Sequence, residues 1–126
     1  MKSAVLLDSS VWVEILGGGP LAARCEAELA AAAHVLVPTV VLFEVYRKVC
    51  RATSEEEALS VITLLSQHSV SDLNREIALE AADLSIAHKL SMADSVVLAH
   101  ARHANAVLVT LDNDFSYLSD VRVLRR

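Results

Sequence analysis

Short, wholly apolar runs constrain this chain more than any other feature. Ala4–Leu7 (AVLL) stops at a carboxylate, Asp8, and HVLV at 34–37 and AVLV at 106–109 have the same form. Four bulky residues are too few for a helix core and too apolar for a loop. They read as strands buried on both faces, as in the interior of a parallel sheet. The segments between them have helical spacing, so the chain is expected to be α/β with a parallel sheet. A buried strand that ends in Asp and turns through Ser9 and Ser10 into a helix puts that Asp at the carboxyl edge of the sheet. That edge is where open α/β sheets hold ligands.

The elements follow in order. A helix is expected from about Ser10 to Leu16, ended by the breaker cluster Gly17–Pro20. That cluster is a loop and not a phosphate cradle, because it follows a helix and no Lys comes after it. Leu21–Ala33 is helical, and His34–Val37 is a strand closed by Pro38. Thr39 is the expected N-cap of a helix over Val40–Arg51. Thr53 and Ser54, with Glu56 and Glu57 three residues on, have the capping-box spacing for a helix to about Gln67. His68–Ser71 is a weak strand, and Asn74–Lys89 is a helix with apolar Ile77, Ala78, Ala81, Leu84 and Ile86. Ser91 caps a helix from Met92 to His103, Ala106–Val109 is a strand, and a last short strand lies near Val121–Leu124.

At 126 residues the chain is expected to be one domain over 1–126. Its hydrophobic content of 54% excludes disorder. A formal charge of −5 gives no overall attraction for nucleic acid, so a phosphate ligand needs a local basic patch or a bound cation. Cys25 and Cys50 have no partner spacing and are expected to be small buried hydrophobes in a reducing, cytoplasmic setting. Asp8 interrupts the N-terminal apolar run well short of a signal peptide, and no stretch is long enough to span a bilayer.

The acids carry the chemistry. Asp8 closes the first strand. Asp8 is itself a good cap for the following helix, but Ser9 or Ser10 could do that job, which would leave Asp8 partly free. Glu44 shares a helical face with Arg47, Lys48 and Arg51 at i+3, i+4 and i+7. That stripe is either a solvated face with helical ion pairs or the wall of a cleft, with Glu44 at a metal and the cations reaching phosphates. Asp94 sits three residues after Ser91, where a capping box accounts for it locally. Asp112 and Asp114 follow the AVLV strand through Thr110, again at a strand's carboxyl end. His100 and His103 share a face and are expected to be solvated. Trp12, Phe43 and Phe115 follow core patterns and are expected to pack inside rather than stack on bases.

Taken together, the order and context of these acids resemble the PIN domain family, and most nearly its small VapC-type toxin ribonucleases. The features are Asp8 after an N-terminal strand, Glu44 mid-helix after Pro38–Thr39, Asp94 at a helix start, and T-x-D-x-D-F from Thr110. The resemblance spans Val5 to Val123. It implies a three-layer α/β/α fold with a short parallel sheet flanked by helices, and an acid cluster that binds Mg²⁺ or Mn²⁺ and cleaves RNA. Asp8, Glu44 and Asp94 match the family's three metal-binding acids. Asp112 matches the fourth, and Asp114 is the other candidate. In these roles Asp8 anchors the metal, Glu44 and Asp94 complete the site, and Asp112 holds a water at it. Ser10 and Thr110 match hydroxyls that orient the acids, and Arg47, Lys48 and Arg51 are candidates for RNA phosphates. Ser95 departs from the Ala that family members often carry after the third acid. The resemblance also implies a small VapB-type antitoxin as partner, with the apolar residues of 16–33 and 40–61 as candidates for its groove, and a homodimer.

Clustered carboxylates raise one another's pKa, and a hard divalent cation relieves that repulsion. Two other readings stay open. A receiver-type signalling domain would need adjacent early acids and a Lys after a late strand, which LLDSS and LVTLDND lack. A catalytically silent PIN-like module would use the same fold only to bind a partner.

Overall fold

The computed structural model describes residues 4–125. Among them are the strands β1 (Ala4–Leu7), β2 (His34–Pro38), β3 (Ser69–Ser71), β4 (Val107–Thr110) and β5 (Val121–Val123). The helices are α1 (Ser9–Gly17), α2 (Ala22–Ala31), α3 (Thr39–Ala52), α4 (Glu55–Leu65), α5 (Arg75–His88) and α6 (Met92–His103). A single 3-10 turn covers Asn113–Phe115.

The strands form one parallel sheet in the order β3-β2-β1-β4-β5, so the expected α/β architecture holds. The chain moves outward from β1 through β2 to β3, then returns across the sheet to β4 beside β1. Helix α1 packs on α2 and α3, α3 on α4, and α5 on α6, the division into two layers that crossovers of the usual right hand would give. Strand order reverses between β1 and β4, which makes their carboxyl ends the topological switch point. Register fixes the alignment there: Leu7 lies opposite Val109, and the Asp8 N–H donates to the Val109 carbonyl at 3.2 Å.

Leu6, Leu7, Val37, Leu108 and Val109 are fully buried, as expected of strands covered on both faces. Helix α6 is buried continuously from Ser95 to Ala101 and forms the second centre of the core. Helix ends follow local chemistry. Ser54, Asn74 and Ser91 each accept a backbone N–H three residues on, and Gly18 closes α1 at φ +63°, where a side chain would be strained.

Four expectations are corrected. Thr39 is the first helical residue of α3 and not its cap; Pro38 holds the cap position without a side-chain bond, its ring presetting the entry. In α5, Ile77, Ala81 and Leu84 are buried but Ala78 and Ile86 are exposed, because only the first three share the core-facing stripe. His100 is not solvated: it is 1% exposed and its Nδ1 lies 2.9 Å from Ser71 Oγ, while His103 is exposed as expected. Trp12 and Phe115 are buried, but Phe43 is 62% exposed. Cys25 is buried and Cys50 half-buried. Among the described residues no helix is long and apolar enough to cross a membrane.

Candidate functional site

Carboxylates reach the switch point from two adjacent strands. Asp8 follows β1 and is buried. It is the N-cap of α1, its Oδ1 accepting the Val11 N–H at 3.2 Å, so the expectation that a serine would free it from capping is corrected. The geometry explains why. Ser10 turns its hydroxyl onto Asp8 Oδ1 at 2.5 Å and itself accepts the Leu111 N–H at 3.1 Å. On the other side Thr110 Oγ1 donates to Asp8 Oδ2 and accepts the Asp112 N–H at 3.0 Å. Two hydroxyls thus tie one carboxylate to the backbone that leaves β4. Burial pushes the Asp8 carboxyl above its ordinary value, and the hydrogen bonds from Ser10, Thr110 and Val11 oppose that rise.

Past β4, Asp112 Oδ1 accepts the Asp114 N–H at 2.9 Å, which folds the segment into its 3-10 turn. Asp94 meets these acids from the first turn of α6. Its own N–H donates to Ser91 Oγ at 3.2 Å, which fixes the helix start. Ligand oxygens of Asp94, Asp112 and Asp114 lie within 4.8 Å of one another. Both candidates for the fourth acid are therefore present. Burial, then the Asp112 charge, raise the Asp94 carboxyl to about 6; Asp8 and Asp114 add to the rise and a hydrogen bond from Ser91 opposes it. Ser95 leaves the cluster undisturbed, because its hydroxyl donates back to the Met92 carbonyl at 2.9 Å.

Glu44 arrives from the second turn of α3 and is half-buried. Burial raises its pKa, the Asp8 charge adds to the rise, and a hydrogen bond from Ser9 opposes it. Asp8 thus acts electrostatically on both Glu44 and Asp94, although Asp8 and Glu44 lie outside the tight triad. The sequence had no independent sign of Ser9's role beyond the hydroxyl pair after Asp8. A cavity of about 550 Å³ opens beside Glu44, walled by Ser9, Val13, Phe43 and the cations of α3. Among the described residues Arg47, Lys48 and Arg51 form no ion pair, so the helical pairing weighed for Glu44 is not realised.

The three closest acids suit a hard cation: all donors are oxygens, and nearby like charge is what a divalent ion relieves. Ser10 and Thr110 hold Asp8 and the 111–112 backbone in one arrangement, so the acids are positioned before any ligand binds.

The fold has counterparts elsewhere. A toxin–antitoxin complex from Klebsiella pneumoniae superposes with a TM-score of 0.79 at 20% identity, over 93% of this chain and 94% of that one. VapC20 from Mycobacterium tuberculosis, described as a Sarcin-Ricin loop cleaving toxin, gives 0.78 at 18% identity, over 96% and 99%. VapBC2 from Rickettsia felis, bound to a DNA fragment from their promoter, gives 0.75 at 20% identity, over 96% and 97%. At such identities the likeness is one of fold. A comparison with curated protein sequences finds no match. The family model of the PIN domain matches residues 5–121, from β1 through the start of β5, and so takes in every acid described above. On that match, this chain belongs to the PIN domain family.

Proposed function

We propose that this chain is a divalent-metal-dependent endoribonuclease, the toxin of a VapBC-type pair, working in the cytoplasm as a single domain. The observation that carries the proposal is the approach of Asp94, Asp112 and Asp114 to within 4.8 Å, with Asp94 held at about 6. A divalent cation shared by the three acids would relieve the repulsion that helps raise Asp94. Asp94, Asp112 and Asp114 would hold the ion, Mg²⁺ or Mn²⁺, with Asp8 and Glu44 flanking it. When bound, the ion supplies positive charge for the phosphodiester and acidity for a water.

The chain's own residues do the rest. Ser10 and Thr110 lock the Asp8 carboxylate, so its charge is fixed relative to Asp94 and Glu44. Asp112 Oδ1 accepts the Asp114 N–H and so shapes the turn that carries both acids toward Asp94. Arg47, Lys48 and Arg51 give a negative protein a local patch for RNA phosphates. Similarity to toxin–antitoxin complexes supports a small antitoxin as partner, and the resemblance to the VapC-type ribonucleases adds a homodimer as the proposed working form. The apolar groove between α1, α3 and α4, lined by Val13, Leu16, Val49 and Val61, is consistent with the expected antitoxin surface.

The test uses the whole chain with mixed-sequence single-stranded RNA. Cleavage should need Mg²⁺ or Mn²⁺, and Asp8→Asn and Asp112→Asn should each abolish it while the fold, followed by circular dichroism, persists. Cleavage that continues in chelator, or that survives both substitutions, sinks the proposal.

A further inference from the structure

Phe43 is placed where a core residue would not be. Helix α3 buries Val41 and Val45, yet Phe43 stands 62% exposed. A phenyl ring left in water forgoes the stabilisation that burial gives. The ring lies at the margin of the acid site, since it lines the same cavity as Ser9 and Glu44. Arg47 and Arg51 follow it at i+4 and i+8, one row along the helix with about 6 Å between successive members. Lys48 stands beside them, and the three cations are free of ion pairs among the described residues. An aromatic plate in the cavity beside Glu44 thus continues into a line of available positive charge.

That order is complementary to one kind of ligand: a flat π face, followed by anionic groups at regular intervals. We infer that Phe43 stacks a base of single-stranded RNA beside the phosphodiester to be cut, with Arg47, Lys48 and Arg51 along the neighbouring phosphates. The inference rests on the nuclease reading and adds to it a residue that positions the substrate. The base must be unpaired, because a duplex keeps its base faces inside the stack and offers none to a ring on a helix surface. Stacking of this kind tolerates any base, so Phe43 selects strandedness rather than sequence. The row of cations beside the ring, unpaired among the described residues, favours an anionic ligand there.

The experiment measures fluorescence anisotropy of the full chain with two labelled strands of equal length. One is a mixed-sequence single-stranded oligoribonucleotide; the other has the same phosphates but abasic residues. Ca²⁺ is present to neutralise the acids, and strand integrity is checked on a gel. Phe43→Ala should weaken binding of the base-bearing strand by ~5- to 150-fold and leave the abasic strand unchanged, while Phe43→Trp retains full affinity. The position is exposed, so these changes leave the fold intact. Equal losses on both strands, or no loss on either, overturn the inference, and no loss points to a protein cover for the ring. A parent chain with no affinity for either strand overturns the nuclease reading together with it.

Discussion

Replacing Asp94 with Asn should make the ion-free protein more stable at neutral pH. Asp94 titrates near 6 in the folded chain against an ordinary value of 3.8, chiefly through burial and then the Asp112 charge. At ~1.4 kcal/mol per tenfold change in acidity, that difference is a gross destabilisation of ~3 kcal/mol once the group is ionised. The carboxylate is only half withdrawn from solvent, and screening reduces the figure to ~1–2 kcal/mol. The sign follows from proton counting. Between the ordinary value of 3.8 and about 6 the folded chain keeps a proton that the unfolded chain has released. Stability from this group is therefore complete below the lower value and is lost as pH rises through the upper one. Asn keeps the shape and the backbone cap to Ser91 but cannot ionise. In chelator, Asp94→Asn should melt ~4–8 °C above the parent near pH ~7.5 and level with it near pH ~4. Adding Mn²⁺ should raise the parent's melting temperature and raise the variant's far less, by mass action on the folded state. A variant no more stable than the parent at neutral pH would refute the claim that burial and the neighbouring acids strain the ionised Asp94. An undiminished Mn²⁺ response would place the ion elsewhere.

Other outcomes follow from the same contacts. Thr110→Val leaves Asp8 Oδ2 and the Asp112 N–H short of a partner. It should cost ~1–3 kcal/mol in denaturant titration, with Thr110→Ser recovering most of that. His100 has the opposite pH sign to Asp94. Burial, and next the nearby His103, lower its pKa while Asp72 opposes the shift, so the folded chain resists protonating it. Stability should be lost as pH falls through the ordinary value of 6.5 toward the lower folded one. His100→Gln, measured in the Asp94→Asn background so that the two slopes do not cancel, should flatten that loss; an unchanged slope would clear His100 of the role.

Much of the fold was legible because strand burial and helix capping are local. AVLL and AVLV announce strands covered on both faces whatever lies beside them, and Ser54 and Ser91 mark helix starts through bonds spanning three residues. Side-chain facing was less legible. Phe43 and His100 were assigned to the core and to solvent, and each lies in the other place, because a helix's pattern states that a face is apolar without stating which neighbour covers it. Capping is one of the two roles the sequence allows Asp8, and it takes the cap because Ser10, the rival, is drawn away by the Leu111 N–H beyond the neighbouring strand.

By itself, the chain order determined that carboxylates follow two strands and begin one helix, since each of those placements depends on neighbours within a few residues. Only the tertiary structure decided that β4 returns to lie beside β1, setting Asp8 against Thr110 and bringing Asp94 to Asp112 and Asp114. The pairing of strands a hundred residues apart is settled by burying all the apolar surfaces at once, and no local pattern records that choice.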